Sequence, residues 1–133
     1  MKMHSKLDEL MAHGVIVPFP HRVSVAEDVP VENVERGVVL QPGVTLEGKE
    51  TLLGSGSILG PGGHFKNVRC GRQVRLSTGV YDECVFLDHS EARSGAEIRG
   101  GSLFMEYARS AHTVGCKMTV LGIRVTLGSL INY

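Results

Sequence analysis

The sequence predicts an all-β protein, a parallel β-helix wound from six-residue repeats. The first observation behind this is a period. Counting in sixes from Val38 gives Val38, Val44, Glu50, Gly56, Gly62, Val68, Val74, Val80, Phe86, Ala92, Ile98 and Phe104. Nine of these twelve residues are apolar, where a hydrophobic content of 42% predicts about five. The second observation is a companion column two residues later: Leu40, Leu46, Leu52, Ile58, His64, Cys70 and Leu76, six of the seven apolar. The third is composition. Seventeen glycines and no tryptophan among 133 residues suit many tight corners and thin aliphatic layers, and do not suit a helical bundle.

Two apolar positions per hexad, separated by one outward residue, describe a short strand followed by a turn. Three such strands close a triangular coil of about eighteen residues, so residues 38–127 supply roughly five coils. A single coil leaves its apolar side uncovered, and stacked coils make a continuous core. Gly43, Gly48, Gly54, Gly60 and Gly71 fall in or beside the turns, where positive φ is often needed. Val68, Val74 and Val80 are expected to point into one interior. A β-sandwich of irregular short strands is the alternative, but a sandwich has no reason to hold a six-residue register for so long. Farther along, the second column turns polar at Asp82, Asp88, Ser94, Gly100 and Glu106. Either the strands shift there or polar side chains turn inward, and such departures often mark a functional region.

Residues 1–37 read as an N-terminal helix and lead-in, and residues 38–133 as the β-helix. Ser5 and Asp8 resemble a capping box, Leu7, Leu10 and Met11 share a helical face, and Gly14 fits the stop. Pro18 and Pro20 exclude a central strand from the next stretch, so residues 15–36 are expected to cover the end of the main body.

Fourteen basic residues balance fourteen acidic ones, which gives no electrostatic reason to expect nucleic acid or an anionic membrane as partner. Cys70, Cys84 and Cys116 are odd in number and lack CxxC spacing, which argues against a disulfide framework and for a reducing cytoplasm. Cys70 and Cys84 read as small core residues. Cys116, beside Lys117, reads as structural, with a lowered pKa as the alternative. No apolar signal core or run of transmembrane length is present, so a soluble cytoplasmic protein is expected.

Three short segments add a resemblance: Ile98-Arg99-Gly100-Gly101, then Arg109-Ser110-Ala111-His112-Thr113-Val114-Gly115, then Val125-Thr126-Leu127-Gly128-Ser129-Leu130-Ile131-Asn132-Tyr133. In this order they resemble the "LRPG" corner, the basic strand leading to a His, and the "VNIGAGT…NYDG" stretch of the acetyltransferase domain of bacterial N-acetylglucosamine-1-phosphate uridyltransferase. The resemblance implies a left-handed β-helix, the known hexapeptide-repeat exception to right-handed crossovers. It implies a homotrimer with the site between neighbouring subunits, a sugar phosphate or nucleotide sugar as ligand, and acetyl-CoA as co-substrate rather than a permanently bound cofactor. The stretch from Arg99 to His112 is shorter than the family's by about one coil. Gly-Ser replaces Gly-Ala at 128–129, and the sequence stops at Tyr133 before the family's Asp-Gly and acetyl-CoA-binding coils. No glycine-rich nucleotide-binding motif occurs in residues 1–37, so uridylyl transfer is not expected.

The resemblance assigns roles residue by residue. Acetylation of an amino sugar needs a base for the amine proton, which a neutral imidazole supplies near neutral pH, and His112 matches the family's base by position. Arg99, Arg109 and Lys117 offer cations to a phosphate or pyrophosphate, and Asn132 and Tyr133 offer hydrogen bonds to a sugar. The plainer roles are a turn cap for His112 and surface ion pairs with Glu97 and Glu106 for the arginines. His64, in an inward column, reads as a core histidine. Two other functions compete. One is a non-catalytic trimeric scaffold or part of a split sugar nucleotidyltransferase, since a solenoid needs a terminal cap and the residues after Val125 supply none. The other is a hexapeptide-type carbonic anhydrase with zinc on His64, His89 and His112, although no HxxxxH spacing occurs.

Overall fold

A computed structural model describes residues 5–130. The chain forms a parallel β-solenoid of about six turns with one short helix before it. The helix, α1, spans Lys6–Ala12 and starts on the reciprocal capping box of Ser5 and Asp8. Its Leu10 is fully buried, so α1 closes the first turn of the core.

Short parallel strands build three faces. Face I stacks Ser24–Val25, Thr45–Glu47, His64–Lys66, Gly79–Asp82, Ala96–Arg99 and Gly115–Lys117. Face II stacks Leu52–Leu53, Arg69–Cys70, Val85–Phe86, Leu103–Phe104 and Val120–Leu121. Face III stacks Val39–Leu40, Ile58–Leu59, Arg75–Leu76, Glu91–Ala92, Arg109–Ser110 and Thr126–Leu127. Residues 15–36 are themselves the first coil: Ile16 bridges Val39, Ser24–Val25 pair with Thr45–Leu46, and Val34 bridges Leu53. The prolines limit that coil to isolated bridges and one edge strand.

Inward side chains form one vertical column per face. Face I contributes Val25, Leu46, Phe65, Tyr81, Ile98 and Cys116. Face II contributes Val34, Leu53, Cys70, Phe86, Phe104 and Leu121. Face III contributes Leu40, Leu59, Leu76, Ala92, Ser110 and Leu127. Volume is shared within each coil. Where Tyr81 and Phe86 both enter the interior, face III supplies only Ala92; where Ile98 and Phe104 enter, it supplies Ser110. Phe65 stacks on Tyr81 at 4.8 Å, Tyr81 meets Phe86 edge-on at 5.9 Å, and Phe86 lies 4.7 Å from Phe104. The Tyr81 hydroxyl donates to the Ser77 carbonyl at 2.9 Å, which makes its burial tolerable.

The strict period of six does not survive. Seven residues separate Leu46 from Leu53, so Thr51 and Leu53 point inward instead of Glu50 and Leu52. The frame then runs one residue late, and His64 points outward while Phe65 is fully buried. A five-residue side between Phe65 and Cys70 restores it, and Val68 and Val74 point inward as expected. Two more five-residue sides follow, Leu76 to Tyr81 and Tyr81 to Phe86. Val80 therefore faces out, 43% exposed, and Tyr81 takes the interior. Losing two residues exchanges the columns, which is why Asp82, Asp88, Ser94, Gly100 and Glu106 face away from the core. Of the two explanations for the polar column, the shift of the strands holds.

Corners also differ from expectation. Gly43, Gly48 and Gly60 adopt positive φ, but Gly54 and Gly71 do not. In later coils most left-handed corner residues are not glycines, Gly95 and Gly101 excepted: Asn67, Gln73, Glu83, His89, Tyr107, Thr113, Met118 and Arg124 all have φ between 49° and 64°. Each stores some strain that the stacked coils hold in place.

Candidate functional site

Face III turns Arg75, Glu91 and Arg109 to the outside in one column, because Leu76, Ala92 and Ser110 beside them point in. Two residues on, Ser77, Arg93 and Ala111 form a second outward column. Two guanidinium groups, those of Arg93 and Arg109, thus share one carboxylate, and Arg75 stands beside Glu91 in the outward column of the preceding coil. Glu91 lies 3.8 Å from Arg93 and 3.8 Å from Arg109, beyond a tight hydrogen bond, and all three side chains are at least partly solvated. Such pairs stabilise the fold by at most about 1 kcal/mol each. What they do is hold an uncompensated cationic patch in place.

His112 stands at the edge of this patch, in the corner between faces III and I. The Leu130 amide donates to its carbonyl at 3.0 Å and fixes the backbone there. With Arg75, Ser77, Glu91, Arg93 and Ser94 it lines a hollow of about 220 Å³. A second hollow of about 190 Å³ continues upward between Arg93, Arg109 and Thr126. Guanidinium forks, two hydroxyls and an imidazole around a small open hollow suit an oxyanion such as a phosphate. No hydrogen bond orients the His112 ring among the described residues.

Arg109 and His112 therefore share a site, but Arg99 and Lys117 do not join it. They sit next to each other at the far edge of face I, and Arg99 is held by Glu97 at 2.6 and 2.8 Å. The surface-pair reading fits Arg99. Arg109 also pairs with a carboxylate, but that of Glu91 rather than the expected Glu106. Asn132 and Tyr133 lie outside the described residues. Arg75, Arg93, Ser77 and Ser94 were missed because they lie one or two coils before His112. The signal was available: Arg75 and Arg93 are eighteen residues apart, about one coil, and Arg109 follows after sixteen.

His64 pairs with Glu47 on face I, His89 stacks on Tyr107 in the corner between faces II and III, and His112 lies in the corner between III and I. These three do not converge within one chain, and among the described residues no three His, Cys, Asp or Glu side chains are grouped to hold a metal ion. A wider groove of about 1040 Å³ follows the corner of faces II and III past Glu35, Arg36, Arg72, Asp88 and His89. Two of its carboxylates are already used: Glu35 accepts from the Ser55 amide at 2.8 Å and Asp88 from the Arg72 amide at 2.9 Å.

The thiols are buried. Cys70 and Cys84 are core residues as expected, and Cys116 is only 2% exposed despite its lysine neighbour. Burial raises the Cys116 pKa, the opposite of activation. Burial and then the Asp82 charge push Cys84 up to about 12, and burial raises Cys70 well above the ordinary range. A folded pKa above the unfolded one gives stability that is complete below the unfolded value, about 8.5, and is lost as pH rises toward the folded value. The melting temperature is therefore expected to hold between about pH 7 and 8 and fall between about 9 and 11. A Cys70→Ala/Cys84→Ala/Cys116→Ala variant should show a smaller fall over the same range. Equal slopes in both proteins would show that the thiols carry none of it.

Fold and hollow together define a class: a parallel β-solenoid with a cationic hollow on one face. No protein-family model matches the chain, and no curated protein matches it in sequence. Among the described residues no helix is long and apolar enough to cross a membrane.

Proposed function

We propose that this chain binds a sugar phosphate or nucleotide sugar on face III, with the phosphate held by Arg75, Arg93 and Arg109. The observation that carries the reading is the pairing of Arg93 and Arg109 with the single carboxylate of Glu91, in a hollow that Arg75 and His112 also line. The sugar class and the reaction come from the resemblance to the uridyltransferase's acetyltransferase domain. In that reading His112 accepts the amine proton as the amine of an amino sugar phosphate attacks the thioester carbonyl of acetyl-CoA; the C–S bond breaks, and the departing CoA thiolate takes up the proton. Subunits of a trimer complete the site, with Arg99 and Lys117 reaching it from a neighbouring copy, and the resemblance gives Asn132 and Tyr133 the hydrogen bonds to the sugar.

A second reading is binding without catalysis, in which the solenoid is a scaffold or the ligand-sensing part of a larger nucleotidyltransferase. Among the described residues no side chain orients the His112 ring, which favours it, since a general base works from a fixed geometry. One set of measurements separates the two. Glucosamine 1-phosphate at a hundred times its dissociation constant should stabilise the fold by about 2.7 kcal/mol, read as a rise in melting temperature. Arg93→Ala/Arg109→Ala should lose that rise, and no rise in the unaltered chain would remove both readings. His112→Ala should keep the rise and, if the chain is a transferase, lose acetyl transfer from acetyl-CoA. Turnover unchanged in His112→Ala would exclude it as the base.

A further inference from the structure

Several carboxylates of this solenoid are spent on close partners. Glu97 accepts from two nitrogens of Arg99, Glu47 pairs with His64, and Asp28, Glu35 and Asp88 accept from backbone amides. Glu91 is different. Its two arginine partners stand 3.8 Å away, and among the described residues no donor reaches its carboxylate within hydrogen-bonding distance. The group is nevertheless sheltered, with its side chain 27% exposed against 54% for Arg93 and Arg109. A carboxylate offers about four lone-pair sites, so a half-buried one with none filled by the protein is an acceptor held ready.

Register fixes its surroundings. Glu91 stands in the outward column of face III, between Arg75 one coil below and Arg109 one coil above. The hollow of about 220 Å³ holds it together with His112, Ser77 and Ser94. The adjoining hollow of about 190 Å³ is bordered by Arg93, Arg109 and Thr126, and by no carboxylate among the described residues. Arg93 lines both and separates them. The surface is thus divided by charge, with a cationic hollow above and a carboxylate and an imidazole below. The levels of Arg109 and Glu91 are one rung apart, about 4.8 Å. An anion in the upper hollow is repelled by Glu91 across that distance, which weakens its binding about fourfold per unit charge even at the dielectric of water. A positive group on the ligand, seated beside Glu91, turns this repulsion into attraction.

We propose that Glu91 is the specificity-determining residue of this site: it accepts hydrogen bonds from a protonated amine in the lower hollow while Arg93 and Arg109 hold a phosphate in the upper one. The ligand it selects carries an ammonium and a phosphate about one rung apart, as on adjacent carbons of a sugar ring, and sugar phosphates without the amine bind more weakly. This role rests on the phosphate reading of face III and adds to it a discriminating side chain that lies outside the three segments of the resemblance. Selection acts on binding, so it holds whether or not acyl transfer follows. The groups named all come from one chain and leave face I free to supply a neighbour's Arg99 and Lys117.

Isothermal titration calorimetry of the full chain with glucosamine 1-phosphate, glucose 1-phosphate and inorganic phosphate tests this. The unaltered chain should bind the amino sugar phosphate about tenfold more tightly than glucose 1-phosphate, the size of one hydrogen bond to a charged group. Glu91→Gln should weaken the amino sugar phosphate about tenfold and tighten inorganic phosphate about fourfold or more, opposite signs that loss of folding cannot produce. Glu91→Asp, which keeps the charge, should retain the preference, and Glu50→Gln on face II should leave all three affinities unchanged. Equal binding of the two sugar phosphates, a preference that Glu91→Gln leaves intact, or a Glu91→Gln chain that binds every probe more weakly would each overturn the role of Glu91 and leave the phosphate site standing. No binding of any probe to the unaltered chain would overturn the phosphate reading and the role of Glu91 together.

Discussion

Replacing Phe86 with alanine is expected to cost about 3–5 kcal/mol, in the range measured for buried aromatics in well-packed cores. Phe86 is fully buried, and its ring packs 4.7 Å from Phe104 and 5.9 Å from Tyr81. Its coil has no spare volume to move in, because face III supplies only Ala92 at that level. The interior is bounded on all three sides by hydrogen-bonded rungs, so collapse into the hole would need several rungs to shift together. The melting temperature should fall by on the order of 10–20 °C. Phe86→Leu should recover more than half of the loss, since it restores most of the volume. Thermal unfolding followed by circular dichroism measures both. In a solenoid each coil contacts only its neighbours, so hydrogen exchange should speed first in the coils around residues 81–104. A loss under about 1 kcal/mol would mean that the aromatic stack does not fill the core.

The same stack explains which parts of the fold were legible. Apolar residues recur in pairs because each side of a coil presents two inward positions, and that signal is strong enough to reveal a parallel solenoid. What the period hides is the side length. A five-residue side keeps both inward positions, Val68 and Cys70 on one and Cys84 and Phe86 on another, and shortens the corner instead. Counting in sixes assigns Val80 to the interior, when the larger Tyr81 fills it and closes a shorter side. The corners were hidden for a related reason: glycine marks positive φ only where nothing else compensates, and Gln73, His89, Tyr107 and Arg124 adopt it under the hold of the coils on either side. One such corner is reinforced by stacking, with His89 4.7 Å from Tyr107 and the Arg124 guanidinium 4.4 Å above the same ring.

The candidate site was half legible. His112 and Arg109 stand close in sequence and share a hollow, so a local motif finds them. Arg75 and Arg93 reach the same hollow only because the coils place residues 16 to 18 positions apart one above another. Their contribution depends on coil length, the quantity the period gave least well. Arg99 shows the opposite failure. It is close to a motif in sequence, but its strand lies on another face, where Glu97 neutralises it.

Gly54→Ala is expected to destabilise the chain by about 3 kcal/mol, at the upper end of overpacking costs, although the change adds one methyl group. Gly54 has no positive φ to lose, so backbone strain is not the cause. Closeness is. A β-carbon there would stand 2.2 Å from the Gly71 carbonyl oxygen and 2.9 Å from the Arg72 nitrogen, both backbone atoms of the next coil. Neither is free to move: the Gly71 carbonyl accepts from the Ser57 hydroxyl at 3.0 Å, and the Arg72 amide donates to Asp88 at 2.9 Å. Relief must come from separating the coils, which stretches the 3.0 Å bond from the Gly54 amide to the Cys70 carbonyl. Ala at Gly100, whose nearest neighbour would be the Glu83 carboxylate at 3.8 Å, should change stability little. Melting of the two variants side by side checks the contrast. Equal stability for both would show that the coils around residues 54 and 71 are farther apart than described.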